Sequence, residues 1–135
     1  MLVELNVRTS AREQLVNVTR DVQHALSETG MRSGTVVVWV PHTTAGVTVN
    51  ENADPTVCSD VLQALSEVVP RARAFYRHSE GNSDAHVKSS LMGCSTTVIV
   101  EGGRLVLGTW QGIYFAEFDG PRHRKLLLKL QPDPE

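Results

Sequence analysis

The chain has 135 residues, 41% of them apolar and 21% charged, with a net charge of −2 from 13 basic and 15 acidic side chains. That length fits one compact domain and leaves little room for a second, and the near-neutral balance advertises neither a nucleic-acid nor an anionic-membrane partner. No apolar run approaches the roughly 18 residues of a spanning helix, and Met1-Leu2-Val3-Glu4-Leu5 lacks the basic start and apolar stretch of a secretory leader. Cys58 and Cys94 show no CxxC spacing and read as free thiols of a reducing compartment, so a cytoplasmic protein is expected.

Residues 2–8 alternate apolar and polar side chains and predict a strand. Residues 13–18 predict a second, after a polar turn at Ser10. Thr19 is placed to cap a helix with Val22, Ala25 and Leu26 on its apolar face, and Gly30 to end it. The strongest strand is Thr35-Val36-Val37-Val38-Trp39-Val40, whose unbroken apolar run predicts a central position covered on both faces. Pro41 stops it, and extended structure resumes over 46–50. Asp54-Pro55 opens a second helix, with Val57, Val61, Leu62, Leu65 and Val68 spaced by threes and fours up to Pro70. Residues 71–92 are polar, and Gly81-Asn82 favours a functional loop there, with room for a helical turn near 83–91. The last third is β: a strand at 96–100, a turn at 101–104, a return over 105–107, then strands at 112–118 and 125–130 before a polar tail at 131–135. Seven or eight strands with two or three helices give an α+β class, a single domain with a mixed, largely antiparallel sheet.

Two segments carry a density of unlike polar groups. Residues 41–54 hold His42, Thr43, Thr44, Glu51 and Asp54; residues 76–88 hold His78, Glu80, Asn82, Asp84, His86 and Lys88. Burying such groups costs free energy, so their concentration points to a site formed mostly by loops. Three imidazoles suffice to hold a catalytic zinc and leave its fourth position open. His42 stands where a strand leaves the sheet, which fixes the side chain's origin while keeping it accessible. His78 and His86 are eight residues apart, too far to share an ion along one helix, but able to converge on a loop with Glu80, Asp84 and Lys88 in support.

Plainer readings stand beside these. His42 can cap its strand end, Thr43 and Thr44 can be simple β-formers, and Glu51 and Asp54 suit a helix start regardless of function. His24 and His123 read as surface residues, and the stretch Arg122, His123, Arg124 and Lys125 as a solvated strand end. Trp110 reads as a core side chain before a stacking platform. The amides of Gly81-Asn82 and of residues 108–112 are available to an anion, but no nucleotide fingerprint or nucleophile elbow is present.

Taken in order, His42-Thr43-Thr44-Ala45, Asn50-Glu51-Asn52-Ala53-Asp54-Pro55, the whole of 78–88, Leu107-Gly108-Thr109-Trp110-Gln111 and Glu117-Phe118-Asp119-Gly120-Pro121-Arg122 resemble the YjbQ-like family, small proteins often described as secondary thiamine-phosphate synthases. The resemblance spans residues 2 to about 130. It implies an α+β fold assembled as a homotrimer, with a histidine-rich divalent-metal site near subunit boundaries. It implies His42, His78 and His86 as ligands, with zinc as the ion and Glu51, Asp54, Asn82, Asp84 and Lys88 as neighbours. The implied activity joins a phosphorylated pyrimidine alcohol to a thiazole phosphate with loss of pyrophosphate. Glu51 or Asp84 would then act as general base and Lys88 and Arg122 would neutralise phosphate, while Thr43, Thr44, Asn82 and Trp110 would touch substrate. Cys94 and His123 are not fixed by the pattern, and Cys94 would soften the metal site if it reached it. Two other classes stay open: a trimer that binds a metal or small ligand without turnover, and a structural trimer whose polar loops fill an interface.

Overall fold

The computed structural model describes residues 1–135. The elements run β1 (Leu2–Arg8), β2 (Gln14–Asn17), α1 (Thr19–Thr29), β3 (Gly34–Trp39), β4 (Ala45–Glu51), α2 (Pro55–Val68), α3 (Ser83–Met92), β5 (Ser95–Glu101), β6 (Arg104–Leu105), β7 (Gln111–Glu117) and β8 (His123–Pro132). They form a five-stranded sheet, β1-β8-β3-β5-β6, and a three-stranded sheet, β2-β7-β4. Every strand pairing is antiparallel. The mixed sheet expected from the sequence is absent for a topological reason. Each helical connection leaves the small sheet and enters the large one, so no helix links two neighbours of one sheet as a parallel crossover does.

The main core holds 18 buried residues, drawn from Val36 and Val38 of β3, Val98 and Val100 of β5, Leu126, Leu128 and Leu130 of β8, Ile113 and Phe115 of β7, and Val22 and Leu26 of α1, among others. Strand alternation sets this up, because successive side chains face opposite sides. Along β8 the even positions from Arg124 to Leu130 are buried, while His123, Lys125 and Lys129 are exposed. β3 is central, but its second face is open: Val37 is only partly covered and Trp39 is 44% exposed. An antiparallel sheet keeps one face outward even where the sequence is apolar throughout. The strand covered on both faces is β7, whose Ala116 meets Phe118 and Ala85 of α3 in a second small cluster.

At α1 the N-cap position is Val18, which makes no side-chain cap; Asn17 Oδ1 just before it accepts from Thr19 N at 3.0 Å, and Thr19, the first helical residue, accepts from Ile113 N through its hydroxyl at 2.8 Å. Gly30 ends the helix at φ 72°. Asp54 caps α2, its Oδ1 accepting from Thr56 N at 2.9 Å, with Pro55 in the first turn. None of the residues of α2 is buried. α3 is a ten-residue helix where the sequence favoured a loop. Its buried face is Asp84, Ala85, Lys88 and Ser89, so there is no apolar periodicity to read. The C-terminus of α3 lies against β4: Ser89 Oγ donates to Ala45 O at 2.7 Å, and a Cβ on Gly46 would stand 2.6 Å from Gly93 O. β8 runs on to Pro132, so only residues 133–135 lie beyond it, not the five-residue tail expected. No helix is long and apolar enough to cross a membrane.

Candidate functional site

Because Ala45 pairs with Glu117 and Trp39 with Leu127, the β3–β4 and β7–β8 links emerge at the same end of the molecule. The start of α3 meets them there. Between them lies a cavity of about 340 Å³ lined by polar side chains and Pro41. His42, Thr43 and Thr44 come from the first link, Asp119, Arg122 and Arg124 from the second link and β8, and Glu80, Asn82 and His86 from the α3 side.

A buried ion pair supports the cavity. Glu117 is 0% exposed and Arg124 5%. The Glu117 carboxylate accepts from Thr9 Oγ1 at 2.7 Å, Arg124 Nε at 2.9 Å and Asp119 N at 3.1 Å, and Arg124 Nη2 closes a second contact to it. Burial pushes the Glu117 carboxyl up, but the Arg124 guanidinium, the Thr9 hydroxyl and the Asp119 amide together hold it below the ordinary carboxylate range. Arg124 Nη2 also donates to Thr44 Oγ1 at 2.9 Å and Thr44 O at 3.3 Å. Arg124 is therefore not part of a solvated strand end, and Thr44 holds it in place. The signal was available: the parity of Leu126, Leu128 and Leu130 puts position 124 on the inward face. Glu117 was missed altogether, although it interrupts the apolar run before Phe118.

His42 packs edge-on against Phe115, with ring centres 6.4 Å apart. Its Nε2 accepts from Lys125 N at 2.9 Å, so the neutral ring carries its proton on Nδ1. Burial, then the charge of Arg124, holds its pKa below the ordinary histidine value. Asn82 stands at the N-cap position of α3 without capping it. Its Nδ2 donates instead to Asp119 Oδ2 at 2.8 Å. A carboxylate only accepts, so this bond fixes which way the amide points. Asn82 Oδ1 is the one buried side-chain polar atom without a partner. Arg122 is tied to Asp119 through Nε at 2.7 Å and Nη2 at 3.1 Å.

His78 and His86 do converge, one from the loop and one from the first turns of α3, with ring centres 5.2 Å apart. Two imidazoles on one tetrahedral ion, at metal–nitrogen distances of about 2.0–2.1 Å, have centres about 5 Å apart. No three His, Cys, Asp or Glu side chains come close enough together to hold an ion. Within one chain the donors therefore amount to a pair, His78 and His86, one short of the three protein ligands of a catalytic zinc. His42 stands outside that pair, since its Nε2 is engaged by a backbone amide.

Other expected site residues fall elsewhere. Asp84 and Lys88 are 0% and 1% exposed. Arg12 grips Asp84 through two bonds of 3.1 Å, and Lys88 Nζ reaches Glu13 at 3.0 Å and Asp84 at 3.4 Å. Buried and mutually paired, they anchor α3 to the chain after β1 and offer nothing to a substrate. Burial raises the Asp84 pKa, but the Arg12 bond and charge and Lys88 more than reverse it. Glu51 ends β4, seven residues from Thr44 and so roughly 20 Å along the strand. Asp54 is an exposed helix cap. Trp110 is 62% exposed, not a core residue, and sits by Asn52 at that same far end. Cys58 and Cys94 are free, and neither lines the cavity.

A family model described as UPF0047 protein YjbQ-like matches residues 3–133. A UPF0047 protein of Methanocaldococcus jannaschii is 52% identical over 133 residues, covering 98% of this chain and 96% of its own. YugU, a UPF0047 protein of Bacillus subtilis, is 53% identical over 130 residues, covering 96% and 98%. A crystal structure of a family member from Clostridium acetobutylicum matches with TM-score 0.93 at 52% identity, over 96% of this chain and 99% of that one. A YbjQ-like protein of Sulfolobus solfataricus gives TM-score 0.93 at 28% identity, over 98% and 97%. Matched almost from end to end in both sequence and fold, the chain belongs to the UPF0047, YjbQ-like family.

Proposed function

We propose that the polar cavity is the working site of a small cytoplasmic enzyme that assembles as a homotrimer and acts on a small phosphorylated substrate with a divalent ion, zinc being the ion its nitrogen donors suit. One observation carries this reading: a single cavity without apolar side chains other than Pro41 gathers imidazoles from two segments beside the guanidinium groups of Arg122 and Arg124. His78 and His86 would hold the ion at the cavity's edge, where His86 lines the cavity and His78 an adjoining pocket, and it would supply a Lewis acid. Arg122 and Arg124 present charged donors to phosphate oxygens, the geometry for which guanidinium is best suited. The specific activity proposed is thiamine-phosphate synthesis, in which pyrophosphate leaves the pyrimidine as the thiazole phosphate bonds to it.

A trimer is supported by α2, which is apolar at Val57, Val61, Leu62 and Leu65 yet buries no residue, and by exposed Phe75 and Leu91 nearby in the chain. A helix draws most of its stability from packing, and a second copy supplies it. The cytoplasm keeps Cys58 and Cys94 as thiols.

The test is metal content of untagged protein, alongside a variant with His78→Ala and His86→Ala, and pyrophosphate release from the two thiamine precursors. About one ion per chain, lost in the variant, with product formed only by the parent, is expected. A parent that stays metal-free after supplementation removes the ion from the reading. A second reading, ligand binding without turnover, is favoured by Glu117 and Asp84: both buried carboxylates are held ionised by arginines, which leaves neither free to take a proton. Tight retention of the precursors with no product over long incubation would select it.

A further inference from the structure

Several cavity residues keep polar atoms without a partner in the protein, among them one each on Arg124, His42 and Asn82. Arg124 engages Glu117 and Thr44 through Nε and Nη2 only, so Nη1 is uncommitted although the residue is 5% exposed. His42 accepts at Nε2, which makes Nδ1–H a donor without an acceptor. Asn82 Oδ1 is a buried acceptor without a donor, and the Asp119 bond prevents the amide from turning over to hide it. Of the three, only Asn82 Oδ1 is shut off from solvent, and a buried group left unpaired costs desolvation free energy that a ligand recovers by pairing with it. Beside the carboxylates of Glu80 and Asp119, the cavity therefore offers these two donors and one acceptor, in a volume that suits one small molecule.

We propose that the ligand is a small oxyanion bearing a hydroxyl next to its anionic group, bound with its charged oxygens on Arg124 Nη1 and His42 Nδ1–H and its hydroxyl donating to Asn82 Oδ1. This deepens the reading of the cavity as a substrate site. It makes His42 a donor to substrate, not a metal ligand, and makes Asn82 the residue that selects hydroxylated over bare anions. The neutral state of His42 suits this, because a neutral ring with Nε2 occupied can only donate at Nδ1. Asn82 suits it as well: an asparagine at a helix N-cap ordinarily accepts from the first turn of its own helix, and here the oxygen is withheld from that role.

The test uses protein stripped of metal with a chelator, with glycolate, acetate and inorganic phosphate as probes in calorimetric titrations. Glycolate is expected to bind about fivefold more tightly than acetate, the equivalent of one net hydrogen bond. Asn82→Ala is expected to lower glycolate affinity more than acetate affinity and so remove that preference, and His42→Phe to weaken all three probes about tenfold. A readout on the parent alone avoids any folding defect of the variants. Long-range nitrogen–proton spectra should show His42 protonated on Nδ1 in the free protein, with that proton shifting when glycolate is added. Equal affinities for glycolate and acetate, or an Nε2–H tautomer, overturn the proposal. Binding that appears only after zinc is restored also overturns it, while leaving the metal-dependent reading standing; no binding with or without zinc ends both.

Discussion

Two clusters of buried charge meet α3, and they differ in how completely they satisfy themselves. In the first, Arg12, Glu13, Asp84 and Lys88 match every carboxylate oxygen with a cation, at distances from 3.0 to 3.4 Å. In the second, Glu117 and Arg124 are equally buried, yet Arg124 Nη1, His42 Nδ1 and Asn82 Oδ1 remain unmatched beside a cavity. Buried charge and a shifted pKa are thus shared by a structural clamp and a candidate site, as expected from the looseness of that inference. What separates them is hydrogen-bonding capacity left over where a ligand can reach it.

The clamp should fail hardest when it is opened. Arg12→Ala leaves Asp84 buried with only Lys88 beside it, and a loss of about 3–5 kcal/mol is expected from denaturant unfolding. A loss below about 1 kcal/mol would mean that water or Lys88 replaces Arg12 at little cost, and the clamp would not be structural. Acid should weaken both clusters. Asp84 and Glu117 titrate below their ordinary values of 3.8 and 4.5, so the folded protein binds fewer protons than the unfolded chain in that range. Their stabilisation is complete above pH 4.5 and is lost as pH falls through the depressed values. Unfolding midpoints should decline most steeply below about pH 5, and that part of the decline should be shallower in Arg12→Ala, where Asp84 has lost its main ion-pair partner. A midpoint that holds constant to about pH 2 would show that neither carboxylate is held ionised by the fold.

The same contrast explains what the sequence disclosed. Strands announce themselves by alternation, and β1, β3, β5, β7 and β8 were all legible, as were the Gly30 stop and the Asp54-Pro55 start. α3 was obscured because polar residues occupy its buried face, and hydrophobic spacing is the main signal of a helix. The cavity was half legible. His42, Thr44, Asn82, His86 and Arg122 stood out by chemical type, whereas Glu117 and Arg124 hid in strands that read as apolar or solvated. Asp84 and Lys88 attract a catalytic reading for the converse reason: residue type alone does not tell a clamp from a catalytic pair, because both need the same charges. Their partners, Arg12 and Glu13, lie 72 or more positions away in the chain, beyond the reach of any local pattern.

His42 gives a smaller and sharper comparison. Burial and the charge of Arg124 depress its pKa, so its proton-driven shift in a nuclear magnetic resonance titration should centre below 6.5. Since the folded value lies below the unfolded one, neutral His42 favours the fold above pH 6.5 and that contribution is lost as pH falls. A His42 midpoint at or above 6.5 would place a carboxylate, not Arg124, as the dominant neighbour, and the donor role of Nδ1 would be lost.

The smallest expected effect lies at the other end of β4. Glu51→Gln should leave probe binding at the cavity unchanged within about 0.5 kcal/mol, because roughly 20 Å of strand separates Glu51 from Thr44. Tyr114 bonds the backbone carbonyl of Glu51 at 3.0 Å, not its carboxylate, so the substitution should leave that contact standing. A fall in affinity of about tenfold would contradict the geometry of a single chain. In a homotrimer it would have one physical source, the carboxylate of a second copy entering the cavity, and dilution to monomer should then abolish the difference between Glu51→Gln and the parent.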